Sequence, residues 1–152
     1  MQIIFPETEE DFEKYYELRW RILRKPWNQP RGSERDNDED TSFHFMAIEN
    51  NKALGVARLQ FINETTAQLR YMAVDKKSEG YGIGRSIIEE IETYLRNNNI
   101  HSIMLHAREN AVGFYEKLGF KIEEKSYLLL DCIQHYKMTK EITTSTTHLK
   151  EK

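Results

Sequence analysis

In the middle of the chain the period of the hydrophobic pattern changes from two to about 3.6 residues across a glycine-rich segment, and this change constrains the fold more than any other feature. Residues 67–74 read as a strand, with side chains that point to alternate faces. The glycine-rich segment EGYGIGR follows at residues 79–85, and after it apolar side chains recur every three or four positions, at Ile83, Ile87, Ile88, Ile91 and Leu95. We therefore predict a strand, a glycine turn and an amphipathic helix, in that order.

The N-terminal segment predicts a strand followed by a helix. Residues 2–5 alternate weakly and end at Pro6, after which Thr8 and Asp11 have the spacing of a capping box. A helix is expected over residues 8–24, stopped by Pro26. The residues that recur on its apolar face are Phe12, Tyr15, Tyr16, Arg19, Ile22 and Leu23.

The segment from Lys25 to Ser42 predicts a long polar loop. It contains Pro26, Pro30 and Gly32, and it has no period that would face a core. Its acidic residues are Glu34, Asp36, Asp38, Glu39 and Asp40. A run of charges is usually a solvated face, which is the interpretation favoured here; attraction of a cationic ligand is the alternative.

The remaining pattern completes an α+β fold with one mixed sheet. Runs at residues 43–48 and 54–61 flank Asn50-Asn51 as a hairpin, and a further turn at residues 63–65 leads into the strand at 67–74. A buried strand at 102–107, a short helix at 111–118 and two strands ending near Glu141 follow. We expect a single domain over residues 1–141 and a frayed tail over residues 142–152.

Composition excludes several classes of protein. The 152 residues carry a formal net charge of −3, which argues against a nucleic-acid-binding surface, and they contain no apolar run long enough to span a membrane. The single cysteine, Cys132, is expected to be a small packed side chain; with no second cysteine and no cluster of ligands, we expect no metal site. The N-terminus lacks the features of a secretory signal, so a cytoplasmic location is expected.

The glycine segment has the chemistry of a diphosphate site. Free backbone N–H groups at the start of a helix converge on a small region, the helix dipole favours negative charge, and glycines allow a phosphate to approach the backbone. An ordinary strand-to-helix turn is the alternative. A dinucleotide-binding GxGxxG and a Walker GxxxxGK[ST] are both absent from the sequence.

These residues resemble the coenzyme-binding motifs of the Gcn5-related N-acetyltransferases. Gly82 and Gly84 match the pyrophosphate motif, residues 69–75 (LRYMAVD) resemble the central strand, and residues 110–120 (NAVGFYEKLGF) resemble the second coenzyme motif. The resemblance implies an acyl-CoA N-acyltransferase fold, three-layered, with a mostly antiparallel sheet of six to seven strands and helices on both faces. It further implies transfer of an acetyl group from acetyl-CoA to a primary amine of a small molecule or peptide.

The resemblance also assigns the site residues. It places Tyr115 as the proton donor to the departing thiolate, and the backbone near Met72 as the donor to the thioester oxyanion. Asn110 is a coenzyme-contacting position that also suits a helix N-cap. The full set expected to bind the coenzyme is Met72, Ala73, Val74, Gly80, Tyr81, Gly82, Ile83, Gly84, Arg85, Asn110, Phe114, Tyr115 and Lys117.

Two departures leave alternatives open. Glu79 stands where the family has Gln or Arg, and Gln68 stands where histone-type members have a glutamate base. A water chain is then expected to remove the amine proton, with Glu64, His44 and His106 as side-chain alternatives.

The resemblance implies that the acceptor is bound near the loop after the first helix. Trp20, Trp27 and Arg19 are expected to line this cleft, and packing of the helix on the sheet is the alternative for Arg19 and Trp20. A second copy of the chain in a homodimer is compatible with this assignment. The competing hypotheses are an acetyl-CoA sensor with little turnover and a nucleotide-phosphate binder.

Overall fold

The structure, a computed structural model, describes residues 1–143. Over that range the chain forms seven strands and three α-helices. In chain order they are β1 (Gln2–Ile4), α1 (Glu9–Leu23), β2 (Phe43–Glu49), β3 (Lys52–Phe61), β4 (Thr66–Val74), α2 (Ile83–Asn97), β5 (Ser102–Arg108), α3 (Val112–Lys117), β6 (Lys121–Leu129) and β7 (Ile133–Glu141). The predicted element order is confirmed, with boundaries that differ by one or two residues.

The strands form one sheet in the order β1-β2-β3-β4-β5-β7-β6. Antiparallel ladders join β1 to β2, β2 to β3, β5 to β7, and β6 to β7. The parallel ladder between β4 and β5 covers three residue pairs, of which Gln68 with Met104 is the last. The predicted mixed, mostly antiparallel sheet is therefore confirmed.

The chain divides into two compact units. The first unit contains Met1–Gln60 and Arg70–Ile91, and the second contains Phe61–Leu69 and the described residues from Glu92 onward. Strand β4 and helix α2 contribute residues to both units. That residues 1–141 act as a single domain stays a prediction.

In the first unit, helices pack on both faces of the sheet. Thr8 and Asp11 form the expected capping box at the start of α1, where the Asp11 amide donates to Thr8 Oγ1 at 3.0 Å. Apolar side chains of α1 pack in a buried cluster with Met46 of β2 and Val56 of β3. On β3 the neighbouring Gly55 faces the other way, since a Cβ there would lie 2.9 Å from side-chain atoms of Ile83 and Ile87 on α2.

In the second unit, alternate residues of β5 are buried. Ile103, Leu105 and Ala107 are each at most 2 % exposed, and Met138 of β7 and Phe120 are buried as well. Lys140 ties this unit together, because its ammonium group donates to Glu92 Oε2 at 2.8 Å and to the Leu118 carbonyl at 2.7 Å.

Two expectations about the C-terminal part are corrected. Cys132 is exposed rather than packed, because the β6–β7 connection turns tightly through Leu130 and Asp131, both in the left-handed region. Ile142 is buried, and its amide donates to the His101 carbonyl at 2.7 Å, so packing extends one residue past the predicted boundary at 141. The rest of the predicted tail, from residue 144 to 152, lies outside the described residues.

Among the described residues, no helix combines the length and the apolar character that crossing a membrane would require.

Candidate functional site

The glycine turn between β4 and α2 lies in the first unit and is open on its outer side. Gly80 and Gly82 have φ of 87° and 78°, in the left-handed region that glycine adopts without a Cβ penalty. A Cβ at either position would meet no heavy atom of the described residues within 4 Å. The space that a phosphate would need beside this backbone is therefore free.

Helix α2 begins directly after this turn. The Ser86 amide donates to the Gly82 carbonyl at 3.0 Å, so the first full helical turn starts at Gly82. The amides of the first turn of an α-helix have no intrahelical acceptor, and they point out of the helix start. With the positive end of the helix dipole, they make this end of α2 suited to an anion.

The side chains around the glycine turn are solvated. Tyr81 is 80 % exposed, and Glu79 is exposed too. Arg85 is paired with Glu89 one helical turn further on, with 3.2 Å between Nε and Oε2, and both are largely exposed. The Glu79 carboxylate can therefore turn into solvent, and backbone amides are the groups best placed to hold a diphosphate.

Strand β4 carries a left-handed residue beside the predicted oxyanion donor. Tyr71 has φ of 56°, which for a non-glycine residue costs roughly 1–3 kcal/mol and is typical of a local irregularity in a strand. Met72 and Val74 follow as half-buried residues, and Ala73 is buried. Four arginines surround the Tyr71 ring, and the nearest, Arg19, has its guanidinium carbon 4.4 Å from the ring centroid. These contacts hold the strained backbone next to Met72.

In the second unit, Tyr115 of α3 is almost completely buried. Its ring is 6 % exposed and packs edge-on against Phe114 and Phe120, with centroids 5.0 and 5.5 Å away. Burial raises the pKa of the Tyr115 hydroxyl well above its usual value, because the ionised form would be desolvated. The hydroxyl is thus protonated at neutral pH, as a proton donor must be.

The other predicted contacts of the second coenzyme motif are exposed. Phe114 is 38 % exposed, and Asn110 and Lys117 are exposed as well. Asn110 lies inside a short 3-10 turn, Glu109–Ala111, and the N-cap of α3 is Ala111, which has no side-chain cap. The expectation that Asn110 caps the helix is therefore wrong, because the extra turn places it ahead of the cap.

The candidate bases differ in their surroundings. His44 is buried, and its ring nitrogens lie 2.7 Å from the Tyr15 hydroxyl and 2.8 Å from the Glu39 carbonyl. Burial lowers the pKa of His44, and both ring nitrogens are engaged, so His44 is a structural residue. Glu64 is exposed, and His106 is half-buried with its ring 5.3 Å from that of Tyr127. Gln68 sits in the ladder opposite Met104.

A buried network of charges in the first unit was missed at the level of sequence. We call Arg19, Arg58, Arg70, Asp36 and Glu39 the charged network. Arg19 and Arg58 are 0 % exposed, and both donate to Glu39 Oε2 at 2.8 Å. Arg58 also holds both carboxylate oxygens of Asp36, at 2.6 and 3.0 Å.

The network overturns the interpretation of the loop as a solvated face. Glu34 is 0 % exposed and accepts from the Gly32 amide and from Arg35 Nε. Asp38 and Asp40 remain exposed, as expected. The sequence did carry a signal, because Arg19 lies on the apolar face of α1 and Arg58 lies in an apolar strand, and buried arginines need anionic partners.

The ionisation of Asp36 follows from these contacts. The hydrogen bonds from Arg58 lower the pKa of Asp36 from 3.8 to about 2, with burial opposing them. The carboxylate is therefore charged at neutral pH, and its charge is neutralised within the protein. It is not available to attract a cationic acceptor.

Comparison with known proteins decides the family. The sequence model of the acetyltransferase (GNAT) family matches residues 12–120, which is more than half of the chain. The chain belongs to the GNAT acetyltransferase family. Its enzyme class is accordingly that of the N-acetyltransferases, as the sequence predicted.

Similar proteins agree with this family. The chain is 29 % identical over 138 residues to a Bacillus subtilis (strain 168) protein named as an acetyltransferase, covering 88 % of this chain and 92 % of that protein. It is 31 % identical over 114 residues to YyaT of the same organism, covering 75 % and 76 %. A solved aminoglycoside 6'-N-acetyltransferase in complex with coenzyme A has the same fold, with a TM-score of 0.79 and 16 % identity over 94 % of this chain and 98 % of that one.

Within this GNAT protein, the predicted site residues fall into two groups. Met72, Ala73, Val74 and the glycine turn from Gly80 to Arg85 lie together in the first unit. Asn110, Phe114, Tyr115 and Lys117 lie together in the second. The roles of these residues stay predictions.

Proposed function

We propose that this protein transfers the acetyl group of acetyl-CoA directly to a primary amine of a small molecule or peptide, with both substrates bound together. One observation carries the proposal: an open glycine turn, with Gly80 and Gly82 in the left-handed region, precedes α2 in a chain of the GNAT family. The turn fits the diphosphate of coenzyme A, because backbone amides and the helix dipole complement two negative charges without a cationic side chain.

The proposed reaction uses the backbone of β4. The amine nitrogen attacks the thioester carbonyl carbon, and negative charge develops on the carbonyl oxygen. A backbone N–H near Met72 donates to that oxygen, where a fixed donor lowers the barrier most. Tyr71, held by its arginine neighbours, keeps this part of the strand in place.

The proposed proton transfers are balanced. As the carbon–sulfur bond breaks, Tyr115, whose hydroxyl carries its proton at neutral pH, gives that proton to the thiolate. Solvent then returns one proton to the Tyr115 oxygen, since a buried tyrosinate is disfavoured. The attacking amine loses one proton to solvent through a water chain, because Gln68 cannot accept one.

The first experiment asks whether acetyl-CoA binds and turns over. Titration calorimetry should detect acetyl-CoA binding, and a thiol-release assay over a broad amine panel should detect coenzyme A formation. The sensor hypothesis predicts binding without turnover on every amine. A nucleotide-phosphate binder would be protected against heat better by ATP than by acetyl-CoA.

Substitution of the proposed donor tests the chemistry. Tyr115→Phe should lower the acetyl-transfer rate about 100-fold, since general acid catalysis contributes about that much, and leave the affinity for acetyl-CoA unchanged. Tyr127→Phe, the same substitution at an exposed tyrosine of β6 outside the predicted coenzyme set, is the matched control and should retain most of the transfer rate. An unchanged rate in Tyr115→Phe would remove Tyr115 from the mechanism.

A further inference from the structure

Arg70 of β4 has hydrogen-bonding capacity that the fold does not use. Ala67 and Leu69 are buried, whereas Arg70 is on the half-buried side of the strand, and its side chain is 34 % exposed. Within residues 1–143 its guanidinium makes one hydrogen bond, from Nη1 to Asp36 Oδ2 at 3.4 Å, near the upper limit for such a bond. Arginine has five N–H donors, so most of those of Arg70 have no hydrogen-bond acceptor among the described residues.

Asp36 accepts shorter hydrogen bonds from donors other than Arg70. Its Oδ1 accepts from Arg58 at 2.6 Å and from the Asp38 amide at 2.8 Å, and its Oδ2 accepts from Arg58 at 3.0 Å. The Tyr71 hydroxyl also donates to Oδ2, at 3.3 Å, so the contact with Arg70, at 3.4 Å, is the longest of the five. Asp36 therefore holds Arg70 weakly and does not depend on it.

The charged network has an excess of positive charge at this position. Three arginines face two carboxylates, and the two buried arginines, Arg19 and Arg58, take the short contacts. Arg70 has the longest ion pair in the network and the most exposed guanidinium. The excess positive charge therefore lies at Arg70, where an anionic group from solvent can reach the guanidinium.

Arg70 is also fixed in direction and close to the proposed reaction centre. Its guanidinium carbon lies 4.9 Å from the centroid of the Tyr71 ring, a cation–π contact that restricts its rotation. Two residues of a fully extended chain span about 7 Å, and the left-handed Tyr71 between them can only shorten that span, so the backbones of Arg70 and Met72 are no farther apart than the length of a small amine. The planar fork of an arginine matches a carboxylate or a phosphate.

We propose that the acceptor of this enzyme is an amine that carries an anionic group, a carboxylate or a phosphate, and that Arg70 binds this group. The inference rests on the proposed function and deepens it by naming the class of acceptor. Arg70 sets specificity: it orients the acceptor and takes no part in proton transfer.

Matched amines test the proposal in the full-length protein. Transfer to 4-aminobutyrate is compared with transfer to butylamine, and transfer to ethanolamine phosphate with transfer to ethanolamine, so the two pairs separate a carboxylate from a phosphate. We expect kcat/KM to be about 10- to 100-fold higher for the anionic member of one pair. Arg70→Gln should remove that preference by raising KM with little change in kcat, and Arg70→Lys should restore part of it.

Arg31→Gln is the control variant. Arg31 is an arginine of similar exposure in the same unit, with its side chain over the Trp20 ring and 3.8 Å from Glu13, and its loss should leave the preference intact. Equal kcat/KM within both pairs, or a preference that survives in Arg70→Gln, would overturn the proposal.

A binding measurement keeps this result separate from the proposed function. Absence of transfer to every amine would refute the proposed function alone. In that case thermal unfolding with coenzyme A decides the role of Arg70. An anionic amine that raises Tm in the wild type and not in Arg70→Gln supports the proposal, and equal shifts in the two proteins contradict it.

Discussion

The glycine turn and the charged network are two polar regions of the same unit with opposite construction. At the turn, polar groups belong to the backbone, the neighbouring side chains are solvated, and the space around Gly80 and Gly82 is open. In the network, polar groups belong to side chains, two arginines are 0 % exposed, and carboxylates of the same chain take up their charge.

The difference indicates what each region contributes. A region whose donors point to open space stabilises the fold little and can bind a ligand strongly. A region whose buried charges satisfy one another contributes to folding, since each partner becomes costly to remove once the other is desolvated. Substitutions in the network should therefore act on stability, and those at the turn on ligand affinity.

The largest effect is expected at Glu39. Its carboxylate accepts from Arg19, Arg58 and the Asp36 amide, and its side chain is 10 % exposed. Glu39→Ala leaves two buried guanidinium groups without this partner, and it should lower the free energy of unfolding by about 3–5 kcal/mol. Chemical denaturation measures the loss.

The control for this substitution is Glu10→Ala. The exposed Glu10 carboxylate lies 3.5 Å from Lys14 Nζ, one turn away on α1. Such pairs contribute at most about 0.5 kcal/mol. A similar small loss in Glu39→Ala would mean that the network is not stabilising, and the contrast between the two regions would fail.

A second effect, of about 2 kcal/mol, is expected in the pH dependence of stability at Asp36. The folded-state pKa of about 2 lies below the unfolded value of 3.8, so the charged carboxylate stabilises the fold at pH values above 3.8. This contribution is lost as the pH falls through 2. The gap in unfolding free energy between wild type and Asp36→Asn should be full at pH 7 and shrink towards pH 2, as measured by urea denaturation. A gap that does not change with pH would refute this origin.

Gly82→Val tests whether the glycine turn, in contrast to the charged network, determines ligand affinity. The left-handed φ of Gly82 should cost the variant roughly 1–2 kcal/mol of stability, while a Cβ on the phosphate side should lower acetyl-CoA affinity at least about tenfold. Gly32→Val is the matched control, since Gly32 has φ of 102° and an equally open surrounding. It should lose similar stability and no affinity; equal affinity losses in both would count against the turn as the binding site.

Local patterns were sufficient to predict the elements of the fold. The capping box of Thr8 and Asp11, the hairpin at Asn50-Asn51 and the change of period at Gly82 each depend on residues close in sequence, and the structure confirms them. The charged network could not be predicted in this way, because Arg19, Asp36 and Arg58 come from three separate elements and meet only after folding.

The features of the candidate site also differ in whether they depend on residues close in sequence or on distant contacts. The glycine turn was predicted because glycine spacing directly indicates where the backbone can adopt the left-handed conformation. The left-handed Tyr71 and the spare donors of Arg70 gave no such signal, since each depends on contacts with distant residues such as Asp36. The interpretation of Asn110 as a cap was wrong because an additional 3-10 turn precedes α3.

The smallest effect is expected at Arg85, where the contribution of one side chain to stability can be compared with its contribution to acetyl-CoA affinity. Its exposed pair with Glu89 contributes no more than about 0.5 kcal/mol, so Arg85→Ala should leave the unfolding free energy nearly unchanged. Removing this positive charge weakens the electrostatic attraction to a diphosphate beside the start of α2. Acetyl-CoA affinity should therefore fall a few-fold at low salt, and less at high salt, where screening is stronger. Arg96→Ala, in the last turn of the same helix, is the control and should leave affinity unchanged. Because backbone amides carry the binding in this proposal, a loss of about 100-fold in Arg85→Ala would show that the side chain, and not the glycine turn, holds the diphosphate.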